Sequence, residues 1–254
     1  MISQGVIVSL QGRVAVVTGA GRGIGKAIAE ALAASGAAVV IAEVADYGEE
    51  TAAAIRDSGA DALYLRVDVS DRASVGNLVE ATRDEYGSID ILVNNAGIRP
   101  TCPFLNMTPA DWKRVLDVNL TGTFNCCKAV APLMVEAGWG RIVNVSSLAA
   151  QRGSTGGHSH YAAAKAGIVG LSKSLARELA PHGVTVNVLA PGWIDTAGWG
   201  GELEGRRAEY ETCVPLGRLG QPEDVAHVVR FLVSEQASYL TGVTVPVNGG
   251  LFIC

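Results

Sequence analysis

No stretch of this 254-residue chain concentrates lysine or arginine, and 20 basic residues against 25 acidic ones leave a net charge of −5. A nucleic-acid surface needs a basic stripe to neutralise phosphates, so that role is disfavoured. No window reaches the roughly 18 consecutive apolar residues of a membrane span. Met1 to Gly12 carries neither a basic n-region nor an A-x-A site, so no signal peptide is read there. Residues 1–10 read as a disordered or tag-like lead. Cysteines are few and poorly spaced: Cys102, Cys126, Cys127, Cys213 and Cys254 form no C-x-x-C, and their number is odd. That excludes a disulfide framework and a zinc site, and it fits a reducing cytoplasm, with small core thiols and one loose thiol at the C-terminus. Linkers, repeats, low-complexity blocks and a G-X-Y period among the 31 glycines are also missing. With 48% hydrophobic residues the chain is not disordered. Residues 1–254 therefore read as one domain, long enough to bury a core without staples.

What the chain does have is alternation. Short β-branched runs at Val14–Thr18, Ala38–Ala42, Ala62–Val67, Ile89–Val93, Ile142–Ser146, Thr185–Leu189 and Val243–Val247 are separated by Ala-rich helical stretches. Near-continuous apolar runs suit strands buried on both faces of a parallel sheet. The fold expected is α/β: Rossmann-like and doubly wound, a seven-stranded mainly parallel sheet with helices on both faces. Residues 194–214, rich in Gly, Glu and Arg, follow the sixth strand and read as a substrate lid.

The segment Thr18-Gly19-Ala20-Gly21-Arg22-Gly23-Ile24-Gly25 follows the first strand and opens the first helix. Glycines there let backbone approach a ligand, and a helix N-terminus suits a pyrophosphate. Ala20 and Ala27 exclude a P-loop, and Lys26 breaks G-x-G-x-x-G, leaving T-G-x-x-x-G-x-G. Glu43 closes the second strand, 18 residues past Gly25, where a carboxylate can accept both ribose hydroxyls of NAD. A 2′-phosphate would meet like charge there, so Glu43 favours NAD over NADP, while Arg22 pulls the other way.

Further motifs follow in order: Asp68-Val69, Asn94-Asn95-Ala96-Gly97, Asn119, Ser146-Ser147, Tyr161-Ala-Ala-Ala-Lys165 and Pro191-Gly192-Trp193-Ile194-Asp195-Thr196. With the glycine loop, they make the chain resemble the short-chain dehydrogenase/reductase family from Gln11 to Gly250. The resemblance implies a catalytic set of Asn119, Ser147, Tyr161 and Lys165. It also implies a cofactor site of Gly19, Gly21, Arg22, Gly23, Ile24, Glu43, Asp68, Val69, Asn94, Asn95, Ala96 and Gly97, with Tyr161 and Lys165 on the nicotinamide ribose. Pro191, Gly192, Ile194 and Thr196 would complete it around the nicotinamide. Asn119 would hold a water leading from Lys165 to solvent. On residue types alone, Tyr161 and Lys165 share a helix face, and an ammonium beside a phenol favours the phenolate. Tyr161 would then serve as general acid or base, and Ser147 would bond the substrate oxygen. Ser147 lies 14 residues before Tyr161, one more than is common in the family, which leaves Ser146 as a contender.

Arg99, Gln151, Arg152, His158, Trp193 and Trp199 are the substrate-facing candidates, with His160 competing with His158 for the pocket. An arginine pair suits a carboxylate, phosphate or sulfonate. No third ligand stands near the two histidines, so no metal is expected. The leading expectation is an NAD-dependent dehydrogenase acting on a secondary alcohol or ketone, such as a sugar, polyol or hydroxy acid. The alternative is an NADPH-dependent 3-oxoacyl-type reductase, to which the pattern is also similar. A non-catalytic dinucleotide-binding redox sensor is a second class, disfavoured by the intact Ser147–Tyr161–Lys165 set. The resemblance further implies a homo-oligomer, dimer or tetramer, built on long helices near Asp111–Val135 and Tyr161–Ala180. The final apolar run Leu251–Cys254 would reach a neighbour's pocket.

Overall fold

Val14–Thr18 is buried along its whole length, which a strand tolerates only when both of its faces are covered. In the computed structural model, which describes residues 8–199, 203 and 205–253, it is β1 at the centre of one sheet. The other strands are β2 (Ala38–Glu43), β3 (Ala62–Arg66), β4 (Ile91–Asn94), β5 (Gly140–Val145), β6 (Val184–Pro191) and β7 (Thr244–Val247). Their order is β3-β2-β1-β4-β5-β6-β7, and every pairing is parallel. Edge strands β3 and β7 are half-exposed, while β4, β5 and β6 are buried throughout.

Alternate residues of each strand feed two cores. On one face, Ala15, Val17, Ile41 and Val93 pack with Ile28 and Leu32 of α1 (Gly23–Ala33) and Val225 and Val229 of α9 (Pro222–Leu232). Ile55 of α2 (Tyr47–Asp57) joins the same core. On the other face, Val16, Leu92 and Ile142 meet Leu78 of α3 (Arg72–Tyr86), Met134 of α5 (Gly122–Ala137) and Ala176 of α7 (Ser159–Leu179). Strand order reverses between β1 and β4, and a crevice opens beyond their C-terminal ends, where ligands bind in such sheets.

Several expectations are corrected. Leu10, at the end of the presumed lead, is buried and donates its N–H to the Ser35 carbonyl at 2.7 Å; residues 1–7 lie outside the described residues. Cys126 and Cys127 are core thiols, but Cys102 is half-buried and Cys213 is exposed; Cys254 lies outside the described residues. The long helix expected over Asp111–Val135 is two helices, α4 (Pro109–Leu116) and α5, joined by a π-helical turn at Asp117–Thr121. Thr108 and Asp111 cap α4 reciprocally, with Pro109 in its first turn. The segment 194–214 holds ordered pieces: a bridge from Ile194 to Gly220, a 3₁₀ turn at Ala197–Trp199 and α8 (Arg207–Cys213). Positions 200–202 and 204 lie outside the described residues. No helix among the described residues is long and apolar enough to cross a membrane.

Candidate active site

The crevice is held open by side chain to backbone bonds at the switch point. Thr18 Oγ1 accepts from the N–H groups of Asn95 and Ala96 at 3.0 and 3.1 Å. Asn95 Nδ2 donates back to the Thr18 and Gly19 carbonyls at 3.1 and 2.9 Å. Gly19 has φ +62°, and a Cβ there would lie 2.7 Å from the Ala96 Cα, so only glycine lets the two loops touch. The resulting cavity of about 1570 Å³ exceeds the roughly 300–1,000 Å³ of common small-ligand sites and has room for a dinucleotide plus a small substrate.

At one end, the first N–H groups of α1 have no side-chain cap, and its first turn holds no acidic residue. That leaves a positive helix end for a pyrophosphate. Glu43 is nearly buried, and three backbone N–H groups orient its carboxylate: Val44 at 2.9 Å, Ala45 at 3.4 Å and Gly21 at 3.3 Å. Arg22 lies exposed, its guanidinium 5.2 Å from the Tyr47 ring. Asp68 is exposed and accepts from Ser70, and Asp68 and Val69 line the same end of the cavity. An uncapped helix end beside an oriented carboxylate fits a nicotinamide dinucleotide.

In the middle of the crevice, Ser147, Tyr161 and Lys165 converge. Ser146 and Ser147 point opposite ways. Ser146 is buried and donates to the Lys165 carbonyl at 2.7 Å. Ser147 Oγ accepts the Ala149 N–H at 3.1 Å and is hydrogen-bonded to the Tyr161 phenol. The contest between the two serines therefore resolves in favour of Ser147. Lys165 is buried and donates to the Val145 carbonyl at 2.7 Å; burial pushes its ammonium down to about 8. The expectation that Lys165 dominates the Tyr161 titration is corrected. Burial raises the phenol above its ordinary range, and the Ser147 hydrogen bond and the Arg99 charge oppose that rise. The Lys165 ammonium lies 5.7 Å from the phenol ring centre.

Asn119 is fully buried in the π-helical turn, a device that recurs at functional sites. Its Nδ2 donates to the Ile98 and Val115 carbonyls at 3.0 and 2.9 Å. Its Oδ1 has no partner. A Cβ on Gly97 would lie 2.5 Å from that oxygen and 3.6 Å from Lys165 Nζ, so the absence of a side chain at Gly97 leaves the oxygen and the ammonium facing one gap. Asn119→Ala is expected to lower stability by about 2–3 kcal/mol, because two carbonyls lose their donor. A urea midpoint unchanged from the parent protein would contradict that.

Arg99, Arg152, His158, Trp193 and Trp199 line the other end, as do Ala96, Gly97, Pro191, Gly192, Ile194 and Thr196. Gly21 and Gln151 are not brought to the lining. Asn94 turns away from it: Nδ2 donates to Asn144 Oδ1 at 2.8 Å, tying β4 to β5. Of the two histidines, His158 faces the crevice, whereas His160 is buried and its Nδ1 accepts the Tyr161 N–H at 2.9 Å. Sequence reasoning missed Tyr47, Arg206 and Tyr210, which also line the cavity. Tyr47 carried a faint signal, four residues past Glu43 at the start of a helix; Arg206 and Tyr210 carried none. No group of side chains able to hold a metal occurs among the described residues.

A family model described as Enoyl-(Acyl carrier protein) reductase matches residues 19–252. The 3-oxoacyl-[acyl-carrier-protein] reductase FabG of Escherichia coli (strain K12) is 44% identical over 246 residues, covering 96% of this chain and 99% of that protein. The crystal structure of gox2181 superposes with a TM-score of 0.93 at 37% identity, covering 96% of each chain. A structure titled Short-chain dehydrogenase/reductase SDR:Glucose/ribitol dehydrogenase, from Brucella melitensis, gives 0.91 at 37% identity, covering 97% of this chain and 99% of that one. Together with the parallel sheet and its crevice, these likenesses show that the chain belongs to the short-chain dehydrogenase/reductase family and is an NAD(P)-dependent oxidoreductase acting on CH–OH and keto groups.

Proposed function

We propose that this protein reduces the ketone of a 3-oxoacyl substrate to the hydroxyl, with NADH as the reductant. The observation that carries the chemistry is the Ser147–Tyr161 hydrogen bond in the crevice beside buried Lys165. The printed name of the FabG relative supports the 3-oxoacyl class over the sugar or polyol expected first. The Brucella melitensis title keeps a polyol as the second reading. Glu43 supports NADH over NADPH, because a 2′-phosphate would be pressed against a carboxylate held by three N–H groups.

In this reading the α1 end at Gly19, Gly21, Arg22, Gly23 and Ile24 holds the pyrophosphate, and Glu43 the adenosine ribose. Asp68 and Val69 take the adenine, and Asn95, Ala96 and Gly97 the middle of the cofactor. Pro191, Gly192, Ile194 and Thr196 frame the nicotinamide. The bound cofactor supplies the hydride. Ser147 donates to the substrate oxygen, where negative charge develops, and Tyr161 delivers the proton to that oxygen. Lys165 bonds the nicotinamide ribose and places positive charge beside the phenol. Asn119 Oδ1 holds a water in the gap it shares with Lys165, which connects the ammonium to solvent. Exposed Trp112, Phe124 and Phe231 support a homo-oligomer, dimer or tetramer, and the free cysteines among the described residues support a reducing, cytoplasmic setting.

The test is an initial-rate comparison of short 3-oxoacyl compounds, as free acids and thioesters, against sugars and polyols, with each cofactor. The 3-oxoacyl class is expected to be preferred over any polyol by about 10²-fold, roughly 3 kcal/mol of differential transition-state binding. Faster oxidation of a polyol with NAD would overturn the substrate assignment.

A further inference from the structure

Beyond Tyr161 the crevice ends in a wall of aromatic rings that carries guanidinium groups. Trp193 meets Tyr210 edge-on with ring centres 4.8 Å apart, and Tyr210 meets Trp199 at 5.1 Å. Arg99 lies 5.5 Å from the Trp199 ring, and Arg152 lies 5.5 Å from the Trp193 ring. Arg99 is placed by its neighbour. The His158 ring is 5% exposed, with Nδ1 3.2 Å from the Pro100 carbonyl and Nε2 3.3 Å from Arg99 Nη1. A carbonyl can only accept, so the ring proton sits on Nδ1, and Nε2 is left to accept from the guanidinium. A buried neutral imidazole thus spends its one acceptor on aiming Arg99. Arg152 forms no ion pair with any carboxylate among the described residues. Among the described residues the carboxylates that line the cavity, Glu43 and Asp68, belong to its opposite end.

We propose that this end of the crevice binds the free carboxylate of a small oxo acid, with Arg99 and Arg152 as its specificity residues and His158 as the positioning residue for Arg99. The proposal rests on the 3-oxoacyl reading and deepens it: the substrate is the acid itself, rather than a neutral ester or thioester. A planar guanidinium fork matches a carboxylate at two points, which a neutral ester cannot reproduce. The Arg99 charge acts directly on the Tyr161 phenol, so an anion bound there sits a few bonds from the reacting ketone. That favours a short chain.

The experiment compares 3-oxobutanoate with its methyl ester, as the ratio of kcat/KM. The ratio cancels any effect of Arg99 on Tyr161, because both substrates share that step. The acid is expected to be preferred at least tenfold (about 1.4 kcal/mol). The preference is expected to fall to about one in Arg99→Ala, to survive in part in Arg99→Lys and to weaken in Arg152→Ala and His158→Ala. A parent protein indifferent to the carboxylate, or an Arg99→Ala protein that keeps the preference, overturns the proposal. A second arm needs no turnover. Tryptophan fluorescence of the parent protein is titrated with butanoate and with methyl butanoate. Tighter binding of the acid, lost in Arg99→Ala, supports the site; equal binding, or none, overturns it. If neither oxo substrate is reduced, the 3-oxoacyl reading falls, and the titration still decides the carboxylate site.

Discussion

Tyr161→Phe is expected to lower kcat by about 10²–10⁴-fold, the range that a positioned proton donor contributes, while NADH binding changes little. The change removes one oxygen and keeps the ring, and Tyr161 contributes no packing through that oxygen beyond its bond to Ser147. Fluorescence titration of NADH on the variant separates the two effects. Loss of both turnover and binding would point to a collapsed crevice instead. The pH dependence has a definite sign. Burial holds the Tyr161 phenol protonated at neutral pH, and the protonated form is the acid that reduction needs. Reduction is therefore expected to persist at neutral pH and to decline as pH rises. Alcohol oxidation needs the phenolate and is expected to climb over the same range. Lys165, held near 8, loses its charge in the alkaline arm and steepens the decline of reduction. A reduction rate that rises with pH would remove Tyr161 from the acid role.

Glu43→Ala is expected to move the NADP-to-NAD ratio of kcat/KM by about 10²-fold or more toward NADP, since like-charge contact costs several kcal/mol. Two effects add. The repulsion against a 2′-phosphate disappears, and NAD loses its ribose acceptor. The Ala variant also strands the N–H groups of Gly21, Val44 and Ala45, so Glu43→Gln is the useful companion. It removes the charge and keeps an acceptor oxygen. If neither variant gains on NADP, Arg22 or Tyr47 rather than Glu43 sets cofactor choice.

How much of this was legible beforehand varies by residue. The seven strands were readable because strands covered on both faces must be apolar throughout, and β1, β5 and β6 are buried end to end. The glycine loop was readable because close backbone approach leaves almost no residue but glycine. The choice between Ser146 and Ser147 was not readable. A spacing of 14 allows either, and only the packed structure sends Ser146 to the Lys165 carbonyl and Ser147 to Tyr161. Asn94 and Asn95 divide in the same way, one into the sheet and one across the switch point. The π-helical turn escaped notice because one extra residue in a helix barely disturbs apolar periodicity, yet it aims Asn119 at Lys165.

Burial periodicity and glycine placement are properties of short segments, so the sequence by itself determined the sheet, the crevice and the residue types of a hydride-transfer site. The titration of Tyr161 and the aiming of Arg99 by His158 were decided only by the tertiary structure. Each depends on how deeply a group is buried and on which charges lie beside it. Those are relations between residues 59 and 62 positions apart along the chain, His158 to Arg99 and Tyr161 to Arg99, and no local pattern encodes them.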